Sequence, residues 1–136
     1  MSRTIHFDLV SPEKKLVSED VHMAVIPGDE GVFGVMAGHC SLVASLSPGV
    51  VKLYKDDKGT ARKIFIAGGF ADVTAAKCSI LAEEAIPVEE LDSPKLTQQL
   101  KDLREDLGLA KDKADQRRIK SQIKLVEAKI SAASAA

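Results

Sequence analysis

Several groups of residues in this chain have types that do chemistry, and their spacing decides which chemistry is open to them. The run Pro27 to His39, PGDEGVFGVMAGH, carries glycines at 28, 31, 34 and 38. Glycine-rich turns cradle phosphates when Gly-Lys-Ser/Thr opens a helix, or when G-x-G-x-x-G joins a strand to a helix. Here the spacing is G-x-x-G-x-x-G, Gly38 is followed by His39-Cys40-Ser41, and the next segment, SLVASLSPG, has neither the length nor the period of a long helix. The run therefore predicts a tight turn or bulge between strands, not a phosphate cradle.

The remaining chemical signals are weaker. His6, His22, His39, Cys40 and Cys78 offer zinc-ligand atoms, but no C-x-x-C or H-x-x-x-H cluster gathers them. His39 and Cys40 are adjacent, and adjacent strand residues point to opposite faces. Ser41 has no G-x-S-x-G elbow around it. The carboxylate pairs Glu83-Glu84 and Glu89-Glu90 read as solvated edges more readily than as an acid/base dyad. No catalytic residue, cofactor or metal is expected. The segment around Lys113, Arg117, Arg118, Lys120, Lys124 and Lys129 is basic, against Asp112, Asp115 and Glu127. It is either a solvated face with i,i+4 pairs or a surface that docks on an acidic protein, and its residues fit both.

These groups must be positioned by elements of two kinds. Up to about Pro87, apolar residues alternate over short runs: Ile5, Phe7 and Leu9 against His6 and Asp8; Val21, Met23 and Val25; Val51 and Leu53 against Lys52 and Tyr54; Ile64 and Ile66 around Phe65. Period two between frequent turn signals predicts half-buried strands. Ser11-Pro12-Glu13, Pro27-Gly28-Asp29, Ser47-Pro48-Gly49 and Gly68-Gly69 supply the turns, and KDDKG between VVKLY and ARKIFIAGG marks a hairpin. From Leu91 the period changes. Leu96, Leu100, Leu103 and Leu107 form one helical stripe, and Ile119, Ile123, Val126 and Ile130 form a second. Ser93 is the expected N-cap, with Pro94 at the first helical position, Gly108 ending the first helix and Asp112 capping the second. The fold class expected is α+β: a β-sandwich over 1–88, then an antiparallel two-helix hairpin over 89–136.

Composition limits the partners. The chain has 136 residues and a formal net charge of -1, which gives no global field for nucleic acid or anionic lipid. It has one Tyr, four Phe and no Trp, too few for a stacking platform on single strands. No apolar run approaches the roughly 20 residues of a membrane span, and the first residues do not read as a secretory leader. Cys40 and Cys78 are expected to be reduced thiols of a cytosolic protein. Residue types alone thus describe a non-catalytic interaction module. A free-standing adaptor and a small-ligand or metal-binding sandwich fit the same residues.

At PGDEGVFGVMAGH the chain resembles the epsilon subunit of F-type ATP synthases, the counterpart of the mitochondrial delta subunit. Phe7-Asp8-Leu9-Val10-Ser11-Pro12-Glu13 resembles the family's opening strand, and Ser47-Pro48-Gly49-Val50-Val51 its Pro-Gly turn. Ile66-Ala67-Gly68-Gly69-Phe70-Ala71-Asp72-Val73 resembles its Gly-Gly strand pair, and Leu81-Ala82-Glu83-Glu84-Ala85 its last strand. The resemblance runs nearly the full length in family order. It implies a sandwich of about ten strands with a two-helix C-terminal domain, acting in the rotating central stalk. The partners implied are the gamma subunit, the membrane c-ring and the catalytic alpha/beta hexamer. The implied location is peripheral, on the cytoplasmic face of the bacterial inner membrane. The resemblance places Glu30, Gly31, Val32, Phe33 and His39 at the c-ring and Ser11 at gamma. Arg117, Arg118, Lys120 and Lys124 would brake ATP hydrolysis by contacting the catalytic subunits. Leu91, Asp92 and Lys95 stand where some members bind ATP, but Lys95 lacks a guanidinium fork and Leu96 replaces a small residue, so nucleotide binding is not expected.

Overall fold

The computed structural model describes residues 4–13, 15–38, 41–56, 59 and 61–134. It divides into two units, Met1–Pro87 and Val88–Ala136.

Among the described residues, the first unit contains ten strands: β1 (Ile5–Val10), β2 (Lys15–Val21), β3 (Met23–Gly28), β4 (Gly31–Met36), β5 (Leu42–Leu46), β6 (Gly49–Tyr54), β7 (Arg62–Ile66), β8 (Gly69–Val73), β9 (Lys77–Ala82) and β10 (Ala85–Pro87). Hydrogen bonding runs β10-β7-β6-β3-β5-β8-β9-β1-β2, with β4 paired to β3 off this path. Every pairing is antiparallel except β1 with β9. The path crosses between layers at the pair Gly28↔Leu46. One layer is thus β4-β3-β6-β7-β10 and the other β5-β8-β9-β1-β2. Alternation sends one face of each layer inward. Ile5, Phe7 and Leu9 of β1 meet Val51 and Leu53 of β6, Ile64 and Ile66 of β7, and Cys78 and Ile80 of β9 in one buried core. At the edge, Glu19 of β2 accepts from Arg62 Nη1 of β7 at 3.4 Å and lies 3.4 Å from Lys55 Nζ, tying one layer to the other.

Two glycines join β7 to β8 because nothing else fits. Gly68 and Gly69 have φ of 120° and 143°, and a Cβ on Gly69 would meet the carbonyl oxygen of Leu81. One expected alternation is out of phase. Val21 is buried, but in β3 it is Ala24 and Ile26 that are buried, while Met23 and Val25 are only half-buried. His22 bends the chain between β2 and β3 and resets the parity.

The second unit opens with a 3-10 turn, Val88–Glu90, followed by α1 (Ser93–Leu109) and α2 (Lys113–Ser134). The two stripes form the hairpin's inner face: Leu96, Ile119 and Val126 are buried, and Leu100, Leu103, Leu107, Ile123 and Ile130 half-buried. Arg104 Nη2 reaches Glu127 Oε2 across the helices at 3.8 Å. The N-cap of α1 is Asp92, not Ser93. Its side chain accepts from the Lys95 amide at 3.2 Å, so Ser93 and Pro94 already lie within the first turn. Gly108 does not end α1, which continues to Leu109 and stops at Ala110 in extended conformation. Asp112 caps α2, accepting from the Ala114 amide at 3.1 Å, and Gln116 Nε2 donates to the Ala110 carbonyl at 3.0 Å. The short interhelical turn is therefore hydrogen-bonded from both sides.

Candidate functional site

The glycine-rich run folds as the β3–β4 hairpin. Gly28 and Gly31 face each other as its closing pair, and Asp29-Glu30 form the tip. Gly31 has φ of 133°, and a Cβ on Gly28 would lie 2.8 Å from the Gly31 carbonyl oxygen and 2.9 Å from the Phe33 ring. The glycines make a sharp turn with close backbone approach. The Asp29 amide donates to the Ser45 carbonyl at 3.0 Å, and the Asp29 carboxylate accepts from Ser47 Oγ at 2.6 Å. A tip with two carboxylates and a committed amide repels phosphate. Beside it, a groove of about 440 Å³ runs along Gly28, Glu30, Phe33, Leu42, Val43 and Ser45.

The residues assigned to this loop separate by face. Val32 is 71 % exposed, and Glu30 and Gly31 are exposed too. Phe33 is half-buried and packs against the core. The tip therefore presents Glu30, Gly31 and Val32, with Phe33 as their support. His39 lies outside the described residues.

A second surface was not foreseen in the sequence. On the outer face of the β5-β8-β9-β1-β2 layer, Phe70 of β8 stands opposite Leu81 of β9, and Leu81 opposite Val10 of β1. Val43 of β5 lies beside them. Val43 is 76 %, Phe70 58 % and Leu81 56 % exposed. Together with Val10 they line a shallow depression of about 420 Å³. Ser11 follows Val10 directly and lines a neighbouring groove with Pro12, Glu13, Glu83 and Glu84. Scattered exposed apolar residues are ordinary, but a contiguous row across strands is a candidate contact surface. Its residues come from four separate strands, so only the strand order reveals it.

On the same layer, the β1–β2 register sets His6 against Asp20 and Asp8 against Ser18. His6 Nδ1 is 3.0 Å from Asp20 Oδ1, and its Nε2 is 3.2 Å from both Ser18 Oγ and Asp8 Oδ1. This has the outline of a serine–histidine–aspartate relay. However, Ser18 also hydrogen-bonds the Asp8 carboxylate, so its proton is not reserved for the imidazole. That bond outweighs the opposing effect of burial. With Lys77, Lys15 and His6 beside it, Asp8 is held down to about 2. Lys77 Nζ sits 3.2 Å from Asp8 Oδ2. The cluster is a charge-satisfied patch of surface. Polar residues at 6, 8, 18 and 20 on either side of a Ser-Pro turn were its signal in the sequence.

The other candidate groups stay apart. Cys78 is a free thiol pointing into the core, where burial and then Asp72 push it up to about 12, far from nucleophilic. Cys40 lies outside the described residues. Glu83 and Glu84 are exposed in the β9–β10 turn, and Glu89 and Glu90 in the 3-10 turn. Among the described residues, no group of histidine, cysteine and carboxylate side chains could hold a metal. Leu91 and Asp92 precede α1 and Lys95 lies in its first turn, but the Asp92 carboxylate is occupied as a helix cap by the Lys95 amide. Arg117, Arg118, Lys120 and Lys124 are all exposed on α2. Arg118 faces Asp115 at 3.8 Å, whereas Lys113, Arg117, Lys120 and Lys124 repeat at helical spacing as a basic stripe.

A closed sandwich with exposed apolar side chains and, among the described residues, no assembled reactive centre has the makings of an interaction module. Residues 4–88 match the family model described as ATP synthase, Delta/Epsilon chain, beta-sandwich domain. The chain is 42 % identical over 134 residues to the ATP synthase epsilon chain of Rhodospirillum centenum, covering 96 % of this chain and 92 % of that one. It is 47 % identical over 115 residues to that of Maricaulis maris, with 85 % of each chain covered. Among solved structures it matches a chain of the Euglena gracilis mitochondrial ATP synthase, in the OSCP/F1/c-ring assembly, with a TM-score of 0.83 and 30 % identity. That match covers 95 % of this chain and 81 % of the other. The chain belongs to the ATP synthase delta/epsilon family. It is a non-catalytic subunit of that complex and works in its rotor. No described helix is long and apolar enough to cross a membrane.

Proposed function

We propose that the two units divide the rotor's work. The sandwich docks on the gamma subunit through the face around Ser11, Val10, Val43, Phe70 and Leu81. It meets the polar loops of the c-ring with the hairpin tip Glu30-Gly31-Val32. The α2 stripe of Arg117, Lys120 and Lys124, with Arg118 beside it, restrains ATP hydrolysis by contacting acidic segments of the alpha/beta hexamer. The subunit sits peripherally on the cytoplasmic face of the bacterial inner membrane, held there by its partners.

The observation that carries this reading is the apolar row Phe70–Leu81–Val10, with Phe70 and Leu81 exposed and Val10 half-buried, on a module in which no reactive centre is assembled among the described residues. A row of this kind stays in water only at the expense of solubility, and covering it with a partner removes that penalty. The test is copurification from native membranes. Phe70→Asp with Leu81→Asp should keep the isolated chain folded while gamma and the rest of the complex no longer retain it. Retention at the wild-type level would sink the docking assignment. Ending the chain after Val88 should leave assembly and coupling intact and raise hydrolysis in the absence of a proton gradient. Unchanged hydrolysis would remove the brake from the reading, and lost assembly would overturn the division of labour.

A further inference from the structure

A two-layer sandwich has four edge strands; two of these are protected and a third is paired at one end. β2 carries Lys15, Glu19 and Asp20, with Glu19 paired to Lys55 and Arg62. β10 is three residues long and ends in Pro87. β5 is tied to β3 at its Ser45–Leu46 end, where the Ser47 amide donates to the Pro27 carbonyl at 2.9 Å and the Asp29 amide to Ser45. β4 is different. Its sequence GVFGVM contains neither a charge nor a proline, and among the described residues no strand pairs with its second edge. Charges, prolines and short length are the usual protection of an edge, and β4 has none of them.

The hydrogen-bonding parity of that edge is fixed. Pro27 has no amide hydrogen, and its carbonyl is directed to Ser47, away from β4. Pro27 faces Val32, so this is a non-hydrogen-bonded pair, and the alternation continues along the ladder. The backbone N–H and C=O groups of Val32, Gly34 and Met36 therefore point outward at the free edge.

We propose that two copies of this chain pair through β4, antiparallel about a two-fold axis at Gly34, continuing the β4-β3-β6-β7-β10 layer across the dimer. Several features select a second copy as the occupant. In this register Gly34 faces Gly34 of the other copy and Val32 faces Met36, so each facing pair exchanges both backbone bonds. Val32 and Met36 are both exposed on the outer face and meet as an apolar cross-strand pair. Glu30 falls opposite Gly38, so no like charges are brought together. The net charge of -1 leaves almost no long-range repulsion between copies. One short strand covers less surface than a permanent dimer needs, so the association is weak and concentration-dependent. On the reading proposed above, Val32 also meets the c-ring, so self-pairing and assembly would exclude each other. The self-pairing itself does not depend on that reading.

Sedimentation velocity of the full chain, from about 10 µM to about 1 mM, tests it. The expected result is a shift from monomer to dimer, with amide-exchange protection at Val32, Gly34 and Met36 rising in step. Gly34→Pro removes an amide that faces away from β3, so the hairpin ladder survives. Met36→Lys places a charge on the edge. Each should weaken self-association at least about tenfold. Should Gly34→Pro unfold the hairpin, Met36→Lys decides alone. A chain that stays monomeric at the highest concentration, or a dimer that the variants leave unchanged, overturns the proposal. Either result leaves the docking assignment standing, because copurification with gamma tests that separately.

Discussion

The sandwich and the helical hairpin hold their shapes by different means. In the sandwich, the core side chains come from strands far apart in sequence, and Ile5, Phe7, Leu9, Ile26, Val51 and Ile66 are fully out of water. Its turns demand glycine at fixed positions. In the hairpin, neighbours are local, most of each stripe is only half-buried, and the ends depend on the Asp92 and Asp112 carboxylates. One unit is over-determined, and the other is held by propensity, caps and a single apolar seam. A part that must transmit force is suited by the first, and a part that changes partners by the second.

Mutations can break or sharpen that contrast, and the chain supplies a separate signal for each unit. Its single tyrosine, Tyr54, lies in β6, whereas the helices dominate the far-ultraviolet signal. Phe7→Ala should produce the largest change, lowering the stability read by Tyr54 fluorescence in urea by about 4 kcal/mol. A loss below about 1 kcal/mol would mean that the core relaxes around the cavity and the sandwich is not rigid. Gly69→Ala comes next, at about 3 kcal/mol, because φ is 143° and the new methyl meets the Leu81 carbonyl. Gly108→Ala should have the opposite sign. Gly108 lies inside α1 with nothing near its missing Cβ, so thermal melting of the helical signal should show a gain of about 1 kcal/mol. Two glycines with effects of the same sign would erase the distinction between the units.

The smallest effect depends on pH. Asp8 titrates at about 2 in the folded chain against a usual value of 3.8. A depressed carboxyl contributes stability above its unfolded value and loses it as pH falls through the folded one. Asp8→Asn should therefore lower stability at neutral pH by on the order of 1 kcal/mol. In urea titrations the gap from wild type should close as the pH is taken down from about 4 to about 2. A gap that persists in acid would mean that Asp8 acts through packing and not through its charge.

The sequence made the secondary structure legible where the pattern was local. The alternation of Ile5, Phe7 and Leu9 gave β1, and the leucine and isoleucine stripes gave both helices. Where a single residue altered the local geometry, the pattern misled. His22 shifted the phase of β3, and Asp92 took the capping position from its neighbour Ser93. The surfaces were less legible because they are made by pairing at long range. Phe70, Leu81 and Val10 sit in three unremarkable strand patterns and become a patch only through the order β8-β9-β1. The openness of β4 is likewise a property of the strands it does not pair with. The glycine run was readable as a turn from its spacing, but not that Phe33 would face the core while Val32 faced water.

The crossing at Gly28↔Leu46 has a mechanical consequence. β3 bonds to β4, to β6 in its own layer and to β5 in the other. A load applied at the Asp29-Glu30 tip enters β3 and divides at once between two sheets. The hydrogen bonds of both sheets then bear it side by side rather than one after another. On the docking proposed above, torque arriving at that tip would turn the whole sandwich as a block before it could peel away a single strand.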